Sequence, residues 1–165
     1  MRLLLKTMFV VLTAPFGCAQ NSIPKALDMY NEHTVPYITT TELAKTEVEF
    51  LLDTRQKKEY QVSHLKNALW VGYDEFDLTE VRNTIKNNET PIVVYCSIGV
   101  RSEAIGEKLI SAGYTNVKNL YGGIFEWKNS GFPVYDSAER ETNKVHPYNR
   151  IWGRLLTNAD KSYKP

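Results

Sequence analysis

The sequence predicts an α/β fold, with a central parallel sheet flanked by helices on both faces. Two observations lead there. The strands Phe50-Leu51-Leu52-Asp53, apolar up to its final Asp53, and Ile92-Val93-Val94-Tyr95 carry continuous rather than alternating apolar runs, as expected of strands covered on both sides. Segments with helical spacing separate these runs, and glycines and prolines mark the changes of element. At 165 residues the chain has room for one domain with a core, plus appendages. Its 42% hydrophobic and 24% charged residues are ordinary for a globular protein. A net charge of +1 with no basic run argues against nucleic-acid binding.

Residues 1–18 have the layout of an export signal. Arg2 and Lys6 supply the positive end, and Met8 to Ala14 supply an apolar stretch too short to cross a bilayer as a mature helix. Cys18 follows Gly17 where a lipoprotein signal is cut, so the segment resembles a bacterial lipoprotein signal, although Pro15 stands where that motif usually has leucine. The resemblance implies a lipid on Cys18 and an exported protein anchored by it, facing the bacterial periplasm. Plain secretion and a buried N-terminal strand are the alternatives. A lipid on Cys18 would leave Cys96 as the other thiol, so that no disulfide braces the fold. A Cys18–Cys96 bridge would instead tie a terminus to the end of a central strand.

Residues 19–34 read as a linker and a short helix, started by Ser22 and Pro24 and carrying Ala26, Leu27 and Tyr30 on its apolar face. Val35-Pro36-Tyr37-Ile38 reads as an edge strand because of its proline. Thr40 or Thr41 is expected to cap a helical turn through Glu42-Leu43-Ala44, and Lys57 to Gln61 to make a charged turn. His64 lies in the segment Ser63 to Val71, a loop running into a short strand. It invites a proton-transfer role, but with no second histidine or carboxylate at ligand spacing a loop-pinning hydrogen bond is the better reading. Asp77 caps a helix with Leu78, Val81 and Ile85 inward, and Val117 to Leu120 is a further strand. Gly122-Gly123 opens a last helix through Trp127, closed by Gly131 before Pro133.

The chemistry concentrates at Cys96, which ends the Ile92 strand. Ser97, Ile98, Gly99 and Val100 lead to Arg101, and helical spacing starts at Ser102 with Ile105, Leu109 and Ala112 on one face. A strand–loop–helix of this kind aims successive backbone N–H groups at one point beside a helix N-terminus. Those donors, the helix dipole and Arg101 would stabilise a thiolate there, making Cys96 a candidate nucleophile. The plainer alternative is a buried cysteine that closes a core strand.

Three segments together resemble the rhodanese (sulfurtransferase) family. They are Leu52-Asp53-Thr54-Arg55 with Glu59-Tyr60 and Ser63 to Ala68; Cys96 to Ser102; and Tyr121-Gly122-Gly123 through Trp127 to Val134. The resemblance covers residues 35–135. It implies a rhodanese domain in which Cys96 takes a sulfane sulfur as a persulfide and Arg101 holds an anionic donor or braces the loop. The backbone of Ser97, Ile98, Gly99, Val100 and Ser102 would bind the anion, with Asp53 and Arg55 in a supporting role that is usually structural. The six-residue span from Cys96 to Arg101 has the sulfurtransferase length; phosphatases of this fold use one residue more. Where many thiosulfate-using members carry a basic residue after the cysteine, this chain has Ser97, which leaves room for a neutral or thiol-bound donor. The partners implied are a small sulfur donor, a thiol or cyanide acceptor and a protein thiol, with no metal or organic cofactor. A protein-specific sulfur carrier and a non-catalytic binding module are the competing readings.

Residues 136–165 leave that pattern. Ser137 to Lys144 reads as a polar linker, and Ile151, Trp152, Leu155 and Leu156 sit at near-helical spacing. A helix packed on the domain, a partner-docking segment and a membrane-surface segment compete for this stretch. Gly153 and the cost of leaving Trp152 in water favour packing on the domain, where it would shape the donor pocket if it lay near the Cys96 loop.

Overall fold

The structure is a computed structural model that describes residues 22–164. The signal-like segment, including Cys18, lies outside the described residues. In chain order the first elements are α1 (Ile23–Tyr30), β1 (Tyr37–Ile38), α2 (Thr40–Leu43), β2 (Phe50–Asp53), α3 (Lys57–Val62) and β3 (Leu69–Trp70). Then come α4 (Leu78–Thr84), β4 (Ile92–Tyr95), α5 (Val100–Ser111), β5 (Val117–Leu120) and α6 (Gly123–Asn129). The chain closes with β6 (Val134–Tyr135), β7 (Glu141–Thr142), β8 (Lys144–Val145), a 3-10 turn (Trp152–Leu155) and β9 (Asp160–Lys161).

Five strands form one parallel sheet in the order β1-β5-β4-β2-β3. The fold is therefore the predicted one, with β4 at the centre and β1 at an edge. Successive β4 side chains face opposite ways, as the pleat requires. Val93 and Tyr95 enter a core shared with α1 and α6, whereas Ile92 and Val94 enter a second core with α4 and α5. Both cores are needed to bury so continuous an apolar strand.

Several local expectations need correction. Thr39, rather than Thr40 or Thr41, caps α2; its hydroxyl accepts from Glu42 N while the Glu42 carboxylate accepts from Thr39 N. The charged turn after Gln56 is the helix α3, whose Glu59 carboxylate accepts from Gln56 N at 3.1 Å. Two turns of helix are too short for their periodicity to show among charged side chains. Helix α5 begins at Val100 rather than Ser102, because Gly99 turns the chain at φ 108 and frees the next residue to be helical. The polar stretch after Asp136 is the β6–β7 hairpin, tied by Arg140 to Asp136 at 2.8 Å.

The final segment folds back onto the first core. Val145 and Leu156 are fully buried in it. Burial of that kind contributes about 1.5–3 kcal/mol per side chain. Asn129, at the end of α6, donates to Leu155 O at 2.8 Å and accepts from Thr157 N at 2.8 Å. Trp152 meets Tyr30 of α1 edge to face at 5.8 Å.

Candidate active site

Cys96 lies just past the C-terminal end of β4, the side of an open parallel sheet on which ligand crevices form. Two glycines make that placement possible. Gly99 supplies the left-handed turn before α5, and an added Cβ would come within 3.2 Å of Leu27. Gly123 opens α6 directly beneath the loop, where a Cβ would stand 2.3 Å from Cys96 O. In that close approach Ile124 N donates to Cys96 O at 2.9 Å and Phe125 N to Ser97 O at 3.0 Å, so the first turn of α6 fixes the loop's backbone.

The sulfur is 1% exposed and receives Gly99 N–H at 3.1 Å. Burial raises the thiol pKa; the Arg101 charge, the Ser102 donors and Gly99 N–H lower it by more, leaving Cys96 below the ordinary thiol value. The Ser102 hydroxyl has one proton to give. Asn119 Nδ2 is committed to Gly99 O at 2.8 Å, so Asn119 Oδ1 can only accept, and it takes that proton at 2.8 Å. We therefore assign the contribution of Ser102 at the sulfur to its backbone N–H. Asn31 holds the loop from α1, donating to Gly99 O at 3.0 Å and to Glu103 at 2.6 Å.

Arg101 sits in the first turn of α5 and is gripped by Glu59 of α3. Nη1 donates to Oε2 at 2.7 Å and Nη2 to Oε1 at 2.9 Å, and Ser97 Oγ binds both partners, at 3.0 and 3.1 Å. The Tyr148 ring covers the guanidinium, with its centroid 4.7 Å away. Burial pushes the Glu59 carboxyl upward; its bonds to Arg101, and the Arg101 and Arg55 charges, outweigh that and hold it below the usual carboxylate range.

Asp53 and Arg55 form a fully buried pair at 2.6 Å, and Arg55 also donates to Ser63 O at 2.6 Å. This pair fixes the chain between β2 and the loop that carries His64. His64 stacks on Tyr60 at 4.2 Å, its Nδ1 is 3.0 Å from Leu65 O, and its backbone bridges to Tyr135. Neither the pair nor His64 lines the space above the sulfur.

That space is a cavity of about 250 Å³. Cys96 and Arg101 reach it from below, Ile98 and Val100 wall it, and Tyr30, Tyr148 and Trp152 roof it. Sequence reasoning missed Glu59 as the partner of Arg101, although a part-buried arginine at a helix start calls for an anion and Glu59 lies in the Leu52 to Tyr60 motif. Tyr30 and Tyr148 carried no signal. Among the described residues, no group of three or more His, Cys, Asp or Glu side chains could hold a metal ion.

A parallel sheet with a loop-cradled cysteine at the end of its central strand defines a class, and the comparisons agree. The chain belongs to the rhodanese family: the rhodanese-like domain matches residues 20–130. Among relatives, it is 27% identical over 100 residues to a thiosulfate sulfurtransferase of Coxiella burnetii, covering 61% of this chain and 89% of that one. It is 34% identical over 101 residues to a tRNA uridine(34) hydroxylase of Hamiltonella defensa, covering 58% of this chain but only 28% of that protein. The chain thus spans little more than a quarter of such larger relatives. A solved rhodanese-related protein of Thermoplasma volcanium matches at 27% identity with a TM-score of 0.53, over 60% of this chain and 96% of that one.

Proposed function

We propose that the protein is a sulfurtransferase that carries a sulfane sulfur on Cys96. The observation that carries this reading is a buried sulfur facing a cavity, with Gly99 N–H at 3.1 Å and a pKa lowered beside Arg101. The thiolate attacks the outer sulfur of a donor; the new Sγ–S bond forms as the donor's S–S bond breaks, and the leaving group departs with that electron pair. The loop N–H groups and Arg101 stabilise negative charge on thiolate and persulfide alike. A thiol or cyanide acceptor then takes the outer sulfur and regenerates the thiolate. Family membership and the sulfurtransferase relative support the same reaction class.

Intact-mass spectrometry after incubation with a polysulfide or thiosulfate tests this. A gain of one sulfur atom, absent in Cys96→Ser and chased off by cyanide, is the expected result. No uptake from any donor overturns the reading. The signal-like N-terminus supports an exported protein with lipid on Cys18, which labelling with a palmitate analogue tests; label retained in Cys18→Ala overturns it.

A further inference from the structure

The cavity over Cys96 has a composition that bears on the donor. Its roof is made of three aromatic side chains, and two of them, Tyr148 and Trp152, lie beyond the segment matched to the family. Its walls are the aliphatic Ile98 and Val100. Of the described residues lining it, Arg101 alone bears a positive charge, and that charge is committed. Both terminal nitrogens face the Glu59 carboxylate, Ser97 takes a further bond, and Tyr148 covers the guanidinium. The other buried arginine nearby, Arg55, is neutralised in the same way by Asp53. His146, just after β8, has its pKa lowered by burial and accepts from Tyr148 N at 3.1 Å.

A dianionic donor would enter this space against a thiolate, and the two cations nearby, Arg101 and Arg55, are already balanced by carboxylates. It would also give up its hydration to aromatic carbon, and unpaired charge is costly to bury. A donor that carries an uncharged apolar group, and at most the single charge of its own sulfur end, gains from the same walls. The volume, about 250 Å³, lies below the roughly 300–1,000 Å³ of sites that enclose drug-sized ligands, so the group is of one-ring size.

We propose that the donor is a small organic persulfide, R–S–SH, whose uncharged apolar R group packs beneath Trp152 and Tyr148. The inference rests on the reading of Cys96 as the sulfur carrier. The Cys96 thiolate attacks the terminal sulfur; the Sγ–S bond forms as the donor S–S bond breaks. The R–S⁻ leaving group takes the proton from that terminal sulfur, giving the Cys96 persulfide anion and R–SH with no oxidant or reductant required.

The test compares donors of matched chemistry: benzyl, 4-carboxybenzyl and methyl hydropersulfide, released in solution at equal concentration. The rate of sulfur gain at Cys96 is followed by intact mass. The benzyl donor should load about tenfold or more faster than the carboxybenzyl donor. Trp152→Ala and the milder Tyr148→Ser, the latter at a residue 40% exposed, should each lower the benzyl-to-methyl rate ratio by about three- to tenfold. Equal loading by the charged and uncharged benzyl donors overturns the proposal, as does an unchanged ratio in a folded variant. No loading from any donor strikes instead at the sulfur-carrier reading itself.

Discussion

Glu59 and Arg101 meet through two hydrogen bonds, 2.7 and 2.9 Å long, and the carboxylate is wholly buried. Helix α3 thereby holds the first turn of α5 beside the sulfur. Removing Glu59 strips the part-buried Arg101 guanidinium, 17% exposed, of its carboxylate, at the low end of the cost of about 3–5 kcal/mol for breaking a buried pair. Glu59→Ala should therefore lower stability by about that much in urea unfolding.

The same pair predicts an acid sensitivity. Because the folded-state pKa of Glu59 is depressed, its contribution is present above the ordinary carboxylate pKa of about 4.3 and is lost as pH falls through the folded value. Unfolding free energy measured against pH should decline below about pH 5, and Glu59→Gln should decline less steeply.

Arg101→Ala removes the largest influence that lowers the Cys96 pKa. The thiol should then titrate at higher pH, so that alkylation by iodoacetamide is slower at neutral pH and recovers in alkali. An unchanged pH profile would remove Arg101 from the chemistry. Arg101→Lys keeps the charge without the two-pronged grip and should restore part of the shift.

Gly123→Ala is expected to be among the most damaging single changes. Its Cβ would stand 2.3 Å from Cys96 O and 2.7 Å from Ser97 C, both backbone atoms that cannot turn aside, at a residue with φ 55. We expect a loss of about 3–5 kcal/mol by thermal or urea denaturation.

Asp53→Ala should be similarly destabilising, by about 3–5 kcal/mol, because it strands the fully buried Arg55. In whatever fraction stays folded, the Cys96 alkylation profile should be close to wild type, since neither residue lines the cavity.

How much of this was legible in the sequence follows from range. Strands β2 and β5 have the predicted bounds and β4 stops at Tyr95, one residue before Cys96; for β2 and β4 the apolar run is a local signal. The cradle of Cys96 was also legible, since Gly99 and Arg101 lie within five residues of it. Glu59 was not read as a partner, for its grip on Arg101 crosses 42 positions and no local periodicity reports it. The β6–β7 hairpin was missed because its strands have two residues each, too few for alternation to show among polar side chains. Trp152 was read for its apolar character, but its place over the sulfur depends on how the tail returns to α1, which is a property of the assembled cores.

That return has a bearing on how the molecule would tolerate shortening. The last stretch lines the cavity with Tyr148 and Trp152 and inserts Val145 and Leu156 into the first core. A cut after Tyr135, at the border that family likeness suggests, would strip the vestibule of its ceiling and leave an apolar seam open to water. The cavity's aromatic lining and the integrity of the scaffold are thus vested in one and the same strip of chain.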